Sequence, residues 1–285
     1  MRRHLAGVLL IAGIPLVAGC SSGSSSSAAH VPPKSQTLHI LVTNDDGYDA
    51  AGIDVVTEAL RKLPHVAVTV VAPATNKSGT GSQATEGDLT ATKRTTASGY
   101  PATAVDGFPS DTIRYALETL HLQPDVVVSG INFGQNLGPI TEISGTVGAA
   151  KAAASRGIPA IAASQGLPSN PPGPGSADHP RFDIGAQLVI DWVDPHRAAL
   201  IAHHDTVGVV NLNIPSCVGP RGLKDVPLAT DTAGATDAPD CGPELTDPTT
   251  DVAAFHANFA SATQLDANGK TVTTSTTFPV MTFKR

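Results

Sequence analysis

Basic residues are scarce in this chain. Lys and Arg number 18 against 25 Asp and Glu in 285 residues, a formal net charge of −7, which excludes the basic face of a protein that grips a nucleic-acid duplex. Aromatics are scarcer, at 4% with a single Trp, so the core must be built from small aliphatics. Charged residues reach only 15% while hydrophobic ones reach 41%, and that balance excludes disorder of the whole chain. Several enzyme signatures are also missing. There is no Walker-type phosphate loop with its Lys, no His-Glu-x-x-His pair and no Gly-x-Ser-x-Gly elbow. Gly79 to Ala84 fits the loose dinucleotide pattern Gly-x-Gly-x-x-Ala, but no acid follows at the needed distance and its glycines begin too far past the preceding strand. Neither a collagen triplet nor a heptad repeat runs through the chain.

The N-terminus reads as an address. Arg2 and Arg3 precede an apolar run from Leu5 to Ala18 that Gly and Pro interrupt. It is too short for a membrane span and fits a signal peptide. Leu16-Val17-Ala18-Gly19-Cys20 resembles the lipobox of bacterial lipoproteins, in which the Cys becomes the lipidated first residue; an ordinary cleaved signal with an incidental Cys is the competing reading. Residues 1–19 are thus expected to be a signal peptide, 20–36 a Ser-rich tether, and 37–285 the folded domain. The expected location is the cell envelope, on a membrane surface through a lipid on Cys20. Export places Cys217 and Cys241 in an oxidising compartment, where a disulfide between them would close a loop. Seven acids and no Lys or Arg lie between Asp225 and Asp251, a stretch rich in Pro, Gly and Thr that reads as a solvated loop.

Strand and helix patterns alternate from Thr37 onward. Leu38 to Thr43, Val66 to Ala72, Asp125 to Ser129, Ile158 to Ser164 and Val207 to Ile214 read as strands. Gly52 to Leu63, Thr146 to Arg156 and Phe182 to Val193 read as helices, the first with Ile53, Val56, Leu60 and Leu63 on one face, the second stopped by Gly157, and the third with Trp192 packing one side. The pattern predicts a three-layer α/β domain with a mostly parallel sheet. Right-handed crossovers would gather the C-terminal strand ends on one edge, where such sheets bind ligands. Asn44-Asp45-Asp46-Gly47, Asn76-Lys77-Ser78-Gly79 and Ser129-Gly130-Ile131-Asn132 each follow a predicted strand and should meet there.

Adjacent carboxylates at Asp45 and Asp46 repel one another unless a cation compensates. A hard divalent ion with oxygen ligands (Mg²⁺, Mn²⁺ or Ca²⁺) suits them, and Ser78 and Asn132 could add a hydroxyl and an amide oxygen. Asp-Asp-Gly alone favours a turn with Asp45 as a helix N-cap; three polar clusters at one edge shift the reading to the ion. Ser144-Gly145-Thr146 opens the Ala-rich helix, whose N-terminus would suit a phosphate or be a plain cap. The ten His residues all fall outside the polar clusters.

Taken together, Thr43-Asn44-Asp45-Asp46-Gly47 with Gly52-Ile53, Ala72-Pro73 leading to Asn76-Lys77-Ser78-Gly79, Gly107-x-Pro109-x-Asp111, the run Pro124 to Gly138 and Ser144-Gly145-Thr146-Val147 resemble the SurE survival-protein family of metal-dependent nucleotidases. Asn211-Leu212-Asn213-Ile214-Pro215 and Thr250-Asp251 with Ala253 resemble later family segments. The resemblance is clear over about residues 38–164 and looser to about 265. It implies a Rossmann-like α/β/α core, and a homodimer or tetramer whose C-terminal segment, about 205–285, is exchanged between subunits. It further implies hydrolysis of nucleoside 5′- or 3′-monophosphates, or of other phosphomonoesters, with Mg²⁺ or Mn²⁺. By the same resemblance Asp45, Asp46, Ser78 and Asn132 hold the ion, Asp45, Asp46 and Asn132 are catalytic, and Asn76, Ser144, Gly145 and Thr146 line the phosphate. The Pro-rich stretch from Gly166 to Pro180, the acidic Cys-bounded stretch and export depart from the family pattern. A non-catalytic nucleotide- or metal-binding surface lipoprotein is the alternative, and the intact acid pair argues against it.

Overall fold

The protein was analysed as a computed structural model that describes residues 36–168, 175, 177, 179–203, 208–242 and 245–272. The stretches expected to be a signal peptide and a tether, residues 1–35 with Cys20, lie outside the described residues, as do Pro171, Pro172, Pro174 and Glu244.

In chain order the elements are β1 (Leu38–Thr43), α1 (Ala51–Leu60), β2 (Val66–Pro73), β3 (Ala91–Thr95), β4 (Pro101–Val105), α2 (Pro109–Arg114), β5 (Val126–Phe133), α3 (Gly145–Ala154), β6 (Ala160–Gln165), α4 (Phe182–Ala202), β7 (Val209–Ile214), β8 (Leu223–Asp225), α5 (Asp251–His256) and β9 (Ala260–Leu265). The strands form one sheet in the order β3-β4-β2-β1-β5-β6-β7-β9-β8. Only β3–β4 and β7–β9 pair antiparallel; the other neighbours are parallel. Central strands of such a sheet are covered on both faces and read as continuous apolar runs. β1 does so, and alternate residues feed two cores. Ile40 and Val42 pack with Ile53, Val56 and Leu60 of α1 and with Val189, Trp192 and Val193 of α4. Leu41 faces Ile113 of α2 and Val147, Ala149 and Ala150 of α3 on the other side. Small alanines let α3 lie close to the sheet, as the shortage of aromatics requires. The three-layer α/β reading holds, with β1, β2, β5, β6 and β7 all parallel.

Four expectations change. The hairpin β3–β4 and the short helix α2 were not anticipated, because β3 is an edge strand of exposed Thr, Lys and Arg with no buried alternation. β5 runs through Ser129–Asn132 instead of ending before them, since pairing with β6 resumes at Asn132↔Ser164 after a register shift. α4 passes through Pro195 to Ala202. A Pro inside a helix costs about 3 kcal/mol, yet the buried face continues through His196, Arg197 and Leu200 beyond it. Finally, Asp251 is not solvated: it is 0% exposed and starts α5.

Cys217 and Cys241 are bonded, with Cα atoms 5.5 Å apart across a sequence separation of 24. Closing a loop of that length stabilises the fold by on the order of 3 kcal/mol in the chain-entropy model. Cys217→Ser should lower the melting temperature by the corresponding several degrees. Thiol titration of the unfolded, unreduced mature protein should find neither cysteine reactive, and two free thiols would remove the bridge.

Candidate metal centre

The C-terminal end of β1 opens into a turn built by Asn44, whose amide donates to the Gly47 carbonyl at 2.8 Å and accepts from the Gly47 N–H at 3.2 Å. Asn44 therefore closes this turn, and the two aspartates are left for other work. α1 begins only at Ala51 with Ala50 as its cap residue, so Asp45 is not a helix cap. Asp45 is 2% exposed, and its Oδ1 accepts from the Thr146 hydroxyl at 2.7 Å. Asp46 Oδ2 accepts from the Phe133 N–H at 3.0 Å, and its Oδ1 is 3.4 Å from the donating Asn76 amide. The Lys77 N–H donates to the Asp45 backbone carbonyl at 2.7 Å. Thus the four polar segments after β1, after β2, at the end of β5 and at the start of α3 converge at one sheet edge.

Burial pushes the Asp45 carboxyl up, while the Thr146 hydroxyl and the N–H groups at the start of α3 oppose that shift. Burial, and then the Asp45 charge, push Asp46 up to about 6, with the Phe133 N–H acting the other way. The protein alone therefore disfavours two negative charges here. Among the described residues no Lys, Arg or His forms an ion pair with either carboxylate. Nor do three His, Cys, Asp or Glu side chains converge anywhere among them. The donor set at this edge is two carboxylates with neutral oxygens around them, which fits a hard, oxygen-seeking divalent cation and not zinc held by nitrogen or sulfur.

Asn132 is 7% exposed and donates its amide to the Gly134 carbonyl at 2.7 Å, so its carbonyl oxygen is the end left to accept or ligate. Ser78 is exposed, with its N–H on the Asn76 amide oxygen at 2.8 Å. Ser144 caps α3, accepting from the Val147 N–H at 3.1 Å. Thr146 has a task the sequence did not suggest, since its hydroxyl holds Asp45. Gly145 packs directly on Asp45: a Cβ there would lie 2.7 Å from Asp45 Cβ.

A second layer pins the loop that follows Asn132 at the end of β5. The Asn136 carbonyl accepts from the amides of Asn211 at 2.8 Å and Asn213 at 3.1 Å, and its N–H donates to Asn213 Oδ1 at 2.7 Å. Asn211 and Asn213 are two positions apart on β7 and so share a face, the one sequence signal that could have exposed this clamp. Asp251 accepts from the N–H groups of Gly138 and Ala229 at 2.7 Å each, tying the same loop to α5. Burial raises its carboxyl, and these N–H groups counter the rise. A separate cleft of about 400 Å³ runs along α2 and α3 and contains neither Asp45 nor Asp46. Its cations Arg114, Lys151 and Arg156 each lie 3.4–3.7 Å from a carboxylate of Asp111, Glu142 or Glu118.

A family model described as Survival protein SurE matches residues 40–233. The chain belongs to the SurE family. A 5′-nucleotidase SurE of Methanoregula boonei is 40% identical over 185 residues, 63% of this chain and 68% of that protein. The 5′-nucleotidase SurE of Methanopyrus kandleri is 35% identical over 195 residues, 67% of this chain and 72% of that one. The crystal structure of a SurE protein from Aquifex aeolicus superposes with a TM-score of 0.61 at 28% identity, covering 80% of this chain and 93% of that chain. The SurE match contains Asp45, Asp46, Ser78, Asn132 and Thr146, whereas Cys241, α5 and β9 lie beyond its end.

Proposed function

We propose that this SurE protein is a divalent-metal-dependent phosphomonoesterase that hydrolyses nucleoside 5′- or 3′-monophosphates to nucleoside and phosphate. The observation that carries the reading is the adjacent pair of a buried Asp45 and a half-buried Asp46, held by Thr146 and by the Phe133 N–H, with no ion pair to either from Lys, Arg or His among the described residues. Relatives named 5′-nucleotidase SurE support the substrate class. Asp45, Asp46, the Asn132 carbonyl oxygen and the Ser78 hydroxyl would hold the ion, Mg²⁺ or Mn²⁺. When bound, such an ion supplies Lewis-acid charge to the phosphate and to the attacking water.

The remaining work falls to the chain. The first turn of α3, at Gly145 and Thr146, adds the positive end of a ten-residue helix beside the phosphate. Asn76, whose amide already points at Asp46, can donate to a phosphate oxygen as well. Water attacks phosphorus in line, the bond from phosphorus to the nucleoside oxygen breaks, and that oxygen takes up a proton. The Asn136–Asn211–Asn213 clamp and Asp251 keep Asn132 in place during turnover. A chain of net charge −7 does not steer an anionic substrate, so attraction has to be local to the site. Phosphate release from a nucleotide panel with Mn²⁺ or Mg²⁺, against the same panel in chelator, tests the reading. Binding without release would instead favour a nucleotide-capturing lipoprotein.

The same proposal places the mature protein at the cell envelope as a homodimer or tetramer, anchored through a lipid on Cys20. Cys20→Ser should then move it from the membrane fraction to the soluble fraction. A wild-type protein that is soluble, with its N-terminus at another residue, would refute the anchor.

A further inference from the structure

Among the described residues five large apolar side chains are exposed: Phe133, Ile143, Leu167, Val218 and Leu245. Phe133, at 49%, is the one aromatic among them. In a chain with 4% aromatics, the other described rings are buried or half-buried, as Phe255, Phe259 and Trp192 are in the cores. Leaving a phenyl ring in water forgoes the burial that makes aromatics such effective core residues. Its position is informative. Phe133 follows Asn132, and its own N–H holds Asp46 at 3.0 Å. Leu167 lies across Gly134 from Asn132: a Cβ at Gly134 would sit 3.8 Å from Leu167 Cδ2 and 3.7 Å from Asn132 Nδ2. The Leu167 N–H is fixed by Gln135 Oε1 at 3.0 Å. An exposed aromatic ledge, the Phe133 ring, therefore stands on the residue whose own N–H holds Asp46.

We propose that Phe133 is the platform on which the base of the nucleotide stacks while its phosphate occupies the metal centre. This rests on the nucleotidase reading and adds the part of the substrate that reading leaves unassigned. No charged side chain takes part in the ledge, and every base has a π-face, so stacking of this kind tolerates all four bases. The larger face of a purine gains more contact than that of a pyrimidine.

The test compares AMP with ribose 5-phosphate, which presents the same phosphoester without a base, using the mature protein with Mn²⁺. Wild type should favour AMP in kcat/KM. Phe133→Ala should lower the ratio of the two kcat/KM values about tenfold or more, chiefly through KM for AMP, and Phe133→Trp should restore it. A wild type without preference, or a ratio untouched by Phe133→Ala, would overturn the platform and leave the nucleotidase reading standing. So would a Phe133→Ala protein that changes only its oligomeric state, since the ledge would then belong to a contact with a second copy. Turnover of neither phosphate would sink the hydrolase reading instead. AMP binding by calorimetry then decides the platform: about tenfold weaker binding by Phe133→Ala supports it, and equal binding overturns it.

Discussion

Asp46→Asn should reduce phosphate release from a nucleoside monophosphate by about 100-fold or more and leave the fold intact. The amide keeps the shape of the carboxylate, and its oxygen can still accept from the Phe133 N–H that now binds Oδ2 at 3.0 Å. What disappears is one of the two charges that a divalent ion would meet. Stability should move the opposite way from activity. Burial and the Asp45 charge raise the Asp46 carboxyl from 3.8 to about 6, so the folded, metal-free protein holds that proton more tightly than the unfolded chain does. As pH rises from about 4 to about 6, ionising Asp46 destabilises the fold relative to the unfolded state, and above that window the loss is complete. The Asn variant has no such proton to lose. In chelator at pH 7 it should melt at or above the wild-type temperature, with the difference growing between pH 4 and pH 6 and then levelling. Thermal melts across that pH range, paired with turnover assays, check both halves. A variant as active as wild type, or wild-type activity undiminished in chelator, would remove the ion from the reaction.

How far the sequence displays this site depends on what fixes each residue. Asp45 and Asp46 are legible because two adjacent acids after an apolar strand run demand compensation, and the topology of a parallel sheet brings the Asn76 and Asn132 segments to them. β1 and β5 are legible because burial on both faces leaves continuous Ile, Leu and Val. β3 is not: an edge strand is fixed by backbone pairing with β4, and its Lys93 and Arg94 carry no apolar period. Asp251 is hidden for a different reason. In sequence it is one acid among seven, and only the fold places it beneath the N–H groups of Gly138 and Ala229. The Asn136 clamp joins residues more than 70 positions apart, and no local rule relates a loop carbonyl to two amides on a distant strand. Past Val193 the helix is hidden as well, because the local cost of Pro195 is outweighed by a buried face that runs on through His196, Arg197 and Leu200. Local chemistry is legible; the partner that a buried polar group finds is not.

Gly145→Ala should be nearly as damaging as the loss of a carboxylate, although it removes no functional group. The new methyl would lie 2.7 Å from Asp45 Cβ, 2.9 Å from Asp45 Oδ2 and 3.1 Å from Pro109 Cγ. The first of these is not the loose end of a flexible side chain. Asp45 is almost fully buried and its other oxygen is held by Thr146, the next residue along the same helix. Relief therefore requires α3 to back away from β1, or Asp45 to rotate off the Thr146 hydroxyl, and either movement shifts a carboxylate relative to Asp46 and Asn132. Overpacking of a tight contact costs about 1–3 kcal/mol of stability. Misplacing a reacting group by about 1 Å can cost roughly 100-fold in rate. Activity should thus fall by one to two orders of magnitude in a protein that remains folded at 25 °C, with divalent-ion affinity reduced alongside it. Titration with Mn²⁺ separates the two contributions: excess ion should recover the part due to weaker binding, and the remainder is displacement of the first turn of α3. If Gly145→Ala turned over AMP as fast as wild type, the close approach of α3 to Asp45 would have no part in holding the site.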